Sequence, residues 1–143
     1  MNTPDSGRPL ASAAAFLPAS QESHVSVHTS GAHIDIDAPR PGHPRADAPT
    51  PLHLLAASVA SDLAITVRSY TNAVYGYPGD IDVHVNTVQA PDGVRMRCTL
   101  THTEALEADQ LDEVLELTKR TRLQELLEVP IDLEIRWVPR RSS

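Results

Sequence analysis

Alternation of apolar and polar positions marks several short segments of the chain as strands. Between His24 and His28, Val25 and Val27 fall on one face; further on, Ile34 and Ile36 alternate with His33, Asp35 and Asp37. Ser30-Gly31 between these segments reads as a hairpin turn. The next stretch, from Ala38 to Pro49, carries four prolines. It must be an extended loop, because proline fixes φ and removes a backbone donor. The period then changes. From Pro51 to about Val74 the apolar residues lie nearly all the way round a helical cylinder, which predicts a long helix buried on most sides. Thr50 is placed to cap it and Pro51 to start it. One narrow polar stripe interrupts the apolar surface, formed by Ser58, Asp62, Thr66 and Ser69. Tyr77-Pro78-Gly79 makes a turn after it.

Alternation returns in Ile81, Val83 and Val85, and again in Val94, Met96, Cys98 and Leu100. Ala90-Pro91-Asp92-Gly93 between them is a hairpin signal. A second helix is predicted from about Ala108 to Glu128, acidic at its start and basic in its later half, with Pro130 ending it. Ile131, Leu133, Ile135 and Trp137 share one face of a final predicted strand. The expected order is β-β-α-β-β-α-β. It describes an α+β domain with a long central helix and mostly antiparallel sheet.

Composition narrows the reading. A chain of 143 residues suits one folded domain, and its 3% aromatic content leaves aliphatic residues and alanine to fill the core. A core of that kind gains from oligomerisation. The net charge of −7 argues against nucleic acid as a partner, since phosphate recognition needs clustered cations. No apolar run approaches the roughly 20 residues that span a bilayer. Residues 1–20, rich in Ala, Ser and Pro, are expected to form a disordered arm. Within it the run from Leu10 to Leu17 is too short, and too poor in preceding basic residues, for a secretion signal. The folded domain is expected over 21–139 and a loose tail over 140–143. The single cysteine, Cys98, excludes an intrachain disulfide and fits a cytoplasmic location.

The stretch Pro49-Thr50-Pro51-Leu52-His53-Leu54-Leu55, continuing through Ser58-Val59-Ala60-Ser61-Asp62-Leu63, resembles the signature of the OsmC/Ohr family. These are the osmotically induced and organic-hydroperoxide-resistance proteins. With the order of elements, the resemblance extends over roughly Ser23 to Val138. It implies an intertwined homodimer with a reactive pocket at the subunit interface. It also implies thiol-dependent peroxide reduction, in which a thiolate attacks the O–O bond, becomes a sulfenic acid and condenses with a second cysteine. The resemblance places the first cysteine eleven residues after the helix-starting proline, where this chain has Asp62. It places the second at Thr121, followed by Arg122 where the family has proline. Leu52 stands where the hydroperoxide-resistance branch has a glutamate. No arginine occurs between Arg8 and Arg40 to replace the family's catalytic arginine, and Arg40 and Arg45 do not match its spacing. The glycine-rich segment before the helix is altered to Gly42-His43-Pro44-Arg45.

The chemistry implied by the family therefore lacks its sulfur. Asp62 on a buried helix has two readings: an acid that binds a cation or donates a proton, or a structural carboxylate bonded to Ser58, Thr66 or a partner chain. His53 lies on the opposite side of the helix from Asp62, so an acid–base pair within one chain is not expected, and only a pair across a dimer stays open. Cys98, flanked on its strand face by Met96 and Leu100, reads as a buried, inert thiol. Seven histidines show no zinc-ligand spacing, and neither metal nor cofactor is expected. The leading expectation is an OsmC-like homodimer with a degenerate active site that is not a peroxidase. It would bind a small apolar ligand in an interface pocket lined by His53, Asp62, Thr121 and Arg122. Two alternatives remain: an enzyme, through Cys98 as a residual peroxidase of the family's type or through acid–base chemistry at Asp62, and an interaction scaffold working through the acidic second helix.

Overall fold

The computed structural model describes residues 11–76, 79–103, 106–129, 131 and 133–136. Its elements are β1 (Ala14–Phe16), β2 (Val25–Thr29), β3 (Ala32–Ile36), α1 (Pro51–Tyr75), β4 (Ile81–Ala90), β5 (Gly93–His102), α2 (Ala108–Thr118) and α3 (Arg122–Glu128). The class is α+β, with antiparallel sheets and one long helix, as the periodicity predicts. Internal packing divides the chain into two compact units, Met1–Ala57 and Ser58–Ser143.

In the first unit, β1, β2 and β3 form an antiparallel sheet in chain order. Val25 pairs with Ile36 and Val27 with Ile34, so the four aliphatic side chains predicted to face one way do so. Ser30 and Gly31 both take positive φ, 46° and 78°, the geometry of a two-residue hairpin whose twist matches its strands. β1 lies inside the stretch expected to be a disordered arm, and its residues Ala14 to Phe16 pair with His28 to Ser26 of β2. The proline-rich loop returns to the end of β3, where the Asp37 N–H donates to the Pro49 carbonyl at 3.1 Å.

In the second unit, α1 buries Val59, Leu63, Val67 and Thr71, a single stripe at i, i+4 spacing. The expected burial on most sides is not met, since Ile65 is 67% exposed and Val74 is also exposed. A ribbon and two short helices complete the second unit. The ribbon is β4 and β5, joined by Pro91-Asp92 and paired continuously from Ile81–His102 to Ala90–Gly93. Val83 opposes Leu100 and Val85 opposes Cys98, which fixes the apolar face of the ribbon.

The predicted second helix is two helices. After α2, the Lys119 and Arg120 N–H groups bond to the Glu116 and Leu117 carbonyls, a tightened last turn. Thr121 is extended (φ −75°, ψ 157°), and its hydroxyl accepts the Gln124 N–H at 3.3 Å, which starts α3. A threonine able to cap a new helix competes with continuation of the old one. The final predicted strand does not form among the described residues. Ile131, Leu133 and Ile135 are 74–81% exposed. A strand needs a neighbour for its backbone N–H and C=O groups, and no described residue pairs with this segment. Trp137 and the expected tail lie outside the described residues. Among the described residues, no helix is long and apolar enough to cross a membrane.

Candidate functional site

The sequence-predicted pocket residues fall into different surroundings. His53, in the first unit, closes the start of α1. Its Nδ1 accepts the Thr50 N–H at 3.1 Å and lies 2.7 Å from the Thr50 hydroxyl, which in turn accepts the His53 N–H. This is a reciprocal cap with histidine in the place usually held by Glu or Gln. Asp62, in the second unit, is half-buried on α1 beside the Leu63 stripe. Among the described residues no hydrogen bond or ion pair reaches its carboxylate, so the expected bonds to Ser58 or Thr66 are not made. Thr121 is 4% exposed and serves as the cap of α3. Arg122, the first residue of α3, is exposed.

The second unit holds a half-open apolar cavity of 330 Å³ that the sequence did not point to as a site. Leu63 of α1, Met96, Cys98 and Leu100 of β5, and Leu111, Val114 and Leu115 of α2 form its apolar wall. Thr118, Lys119 and Gln124, at the α2–α3 junction, form its polar side. The cavity thus uses neighbours of the predicted residues: Leu63 rather than Asp62, and Gln124 rather than Thr121. Cys98 is an exposed strand residue, not the buried one expected, but its sulfur is sheltered enough that burial pushes the thiol up from its ordinary pKa. The thiol form, a weak nucleophile, is favoured there.

The acidic second helix is engaged by its neighbours. Tyr70 and Tyr75 of α1 donate to one Glu113 carboxylate oxygen, at 2.9 and 2.5 Å. The Tyr75 bond, followed by that from Tyr70, holds the Glu113 carboxyl below its usual range, and the same bond pushes the Tyr75 phenol above its own. Glu116 pairs with Lys119 at 2.5 Å. An open cleft of 630 Å³ lies over Tyr70, Glu113, Glu116 and Arg120.

In the first unit the principal network centres on Asp37, 1% exposed and unremarked in the sequence beyond its place in the alternation. Ser23 donates to its Oδ1 at 2.5 Å and the Asp47 N–H to its Oδ2 at 2.9 Å, while Arg40 Nη1 lies 3.4 Å from Oδ1. The Ser23 bond first, then the Asp47 and Ala38 amides, hold this carboxyl far below the ordinary carboxylate range. Arg40 also donates to the Ser23 hydroxyl at 2.8 Å and reaches Glu22 at 3.3 Å. On the outer face of β2 and β3, His33 and His24 approach Asp35 at 2.9 and 3.6 Å. No group of three or more His, Cys, Asp or Glu is arranged to hold a metal ion among the described residues.

Solved structures match this architecture over most of its length. An osmotic stress induced and detoxification response protein from Psychrobacter arcticus, so described, is 17% identical, with a TM-score of 0.69 over 85% of this chain and 90% of that one. An OsmC-like protein from Mycoplasma pneumoniae is 16% identical, with a TM-score of 0.61 over 84% and 88%. The organic hydroperoxide resistance protein OhrB of Bacillus subtilis is 14% identical, with a TM-score of 0.55 over 82% and 90%. The chain has the OsmC/Ohr fold. No family model and no curated protein matches the sequence.

The positions that the OsmC/Ohr resemblance assigns to sulfur therefore lie on a matching scaffold. Both carry oxygen side chains, and Thr121 is occupied in capping. Arg40, one of the two arginines whose spacing departs from the family's, is bound into the Asp37 network of the first unit.

Proposed function

We propose that this chain is a homodimeric, cytoplasmic OsmC/Ohr-type protein of the stress response that does not reduce peroxides and binds a small apolar ligand. The observation that carries the reading is the combination in the second unit. A capping threonine, and an aspartate that no described residue bonds, occupy the positions to which the resemblance assigns the two cysteines, and a separate apolar cavity is lined by the one thiol of the chain. A carboxylate or a hydroxyl has no reversible oxidised state with which to cycle. Cys98, pushed toward its thiol form and without a second cysteine to condense with, is poorly suited to replace them.

The homodimer is supported by what one chain leaves uncovered. Ile65 and Val74 of α1, and Ile131, Leu133 and Ile135 beyond α3, are exposed aliphatic side chains in a protein with few buried ones. A second copy would cover such surface. The unpaired cysteine is compatible with a reducing cytoplasm.

The test combines two measurements on the purified protein. With cumene hydroperoxide and dithiothreitol, consumption is expected to stay at the rate without protein. Alkylation of Cys98 by N-ethylmaleimide is expected to slow when decanol is added. Hydroperoxide turnover that disappears in Cys98→Ala would overturn the first half of the proposal, and alkylation unaffected by any apolar compound would overturn the second.

A further inference from the structure

The cavity beside Cys98 is polar at one end only, and that asymmetry specifies more than an apolar ligand. Leu111 stands near the start of α2 and Lys119 caps its end, eight residues later. At 1.5 Å per residue, roughly 12 Å of helix separates them. The wall between is aliphatic or sulfur-bearing, through Leu115, Val114, Met96 and Leu100. Of the described residues that line the cavity, Lys119 alone is charged.

Two features make that end a receptor for an anionic oxygen. Gln124 is oriented by its capping role: its Oε1 accepts the Thr121 N–H at 3.2 Å, which leaves the side-chain NH2 group as a donor. Lys119 pairs with Glu116, but both side chains are mostly exposed, at 65% and 73%. Ion pairs in such surroundings contribute little, so exchanging Glu116 for a ligand's carboxylate is inexpensive. Lys119 and Gln124 both line the polar side of the cavity, and a charge-assisted bond from a freed ammonium is stronger than a neutral one.

We infer that the cavity selects a medium-chain aliphatic carboxylate, its head group at Lys119 and Gln124 and its tail along Leu115, Val114 and Met96 toward Leu111. The inference rests on the apolar-ligand reading of the same cavity and adds the head group to it. No bond is made or broken. Cys98, held as a thiol, forms part of the wall.

The experiment is protection of Cys98 against N-ethylmaleimide by three probes of equal chain length: decanoate, decanol and decylamine, below their aggregation concentrations. Decanoate is expected to protect at about tenfold lower concentration than decanol, the ratio that one modest charge-assisted bond supplies. Decylamine is expected to be the weakest. Lys119→Met should bring decanoate down to decanol, and Lys119→Glu should invert the order in favour of decylamine. Equal protection by decanoate and decanol would overturn the head-group assignment while leaving the apolar-ligand reading intact. Failure of all three probes would overturn both. A Cys98 that does not react without ligand even at alkaline pH would show that the cavity is not open to a small molecule, and would also overturn both.

Discussion

Asp37 and Asp62 belong to different units and meet opposite surroundings. Asp37 is closed off from water, and every direction around its carboxylate is occupied: a serine hydroxyl, a backbone amide from ten residues onward and an arginine. Asp62 is half-buried on the long helix, and no described residue bonds to its carboxylate. Burial of an ionised group is tolerated where hydrogen bonds replace the lost water. At Asp37 those bonds come from Ser23 ahead of β2 and from the loop that the prolines extend, so the charge serves the architecture. At Asp62 water still does part of that work. An acid at a position that the family resemblance singles out can thus stand outside the hydrogen-bond network, while an ordinary acid at a strand end is at the centre of one.

Replacing each in turn tests the contrast. Asp37→Ala is expected to have the largest effect, lowering Tm by several degrees, because Ser23, Arg40 and the Asp47 amide lose their common acceptor. The folded pKa of Asp37 is depressed, so its contribution is fully present above the ordinary aspartate value of about 3.9 and drains away as pH falls below it. Thermal melts from neutral to acid pH should therefore fall more steeply in the parent than in Asp37→Ala; parallel curves would remove the case for a stabilising carboxylate. Thr121→Val should cost about 1 kcal/mol in urea unfolding, the usual loss for a helix cap. No change in urea midpoint would mean that α3 starts without the Thr121 hydroxyl. Asp62→Asn is the smallest, expected within about 0.5 kcal/mol of the parent. A large stabilisation or destabilisation would reveal a partner for Asp62 in the assembled protein and erase the difference between the two acids.

Much of this fold is legible in the sequence because its strands alternate cleanly and its turns are short. Val25, Val27, Ile34 and Ile36 announce their shared face, and Ser30-Gly31 announces the turn that aligns them. The break at Thr121 was hidden by continuous helical periodicity on both sides. Thr121 and Gln124 three residues on do carry a cap signal, which the continuous periodicity outweighs. The exposed side of α1 was hidden for another reason. An apolar residue states that it gains from burial and says nothing of which chain provides the cover. The cavity was invisible because it is assembled from α1, β5, α2 and α3, whose side chains are distant in sequence. Cys98, Met96 and Leu100 could be seen to share a face, but not the gap in front of it.

The β4–β5 ribbon has a consequence for how the molecule is made. Ten successive cross-strand pairs radiate from one two-residue turn, so every pairing can be zipped from its neighbour with little additional loop to close. Hairpins form on a scale of roughly 1–10 μs. The ribbon is therefore suited to appear early, as a template on which the later helices find their places.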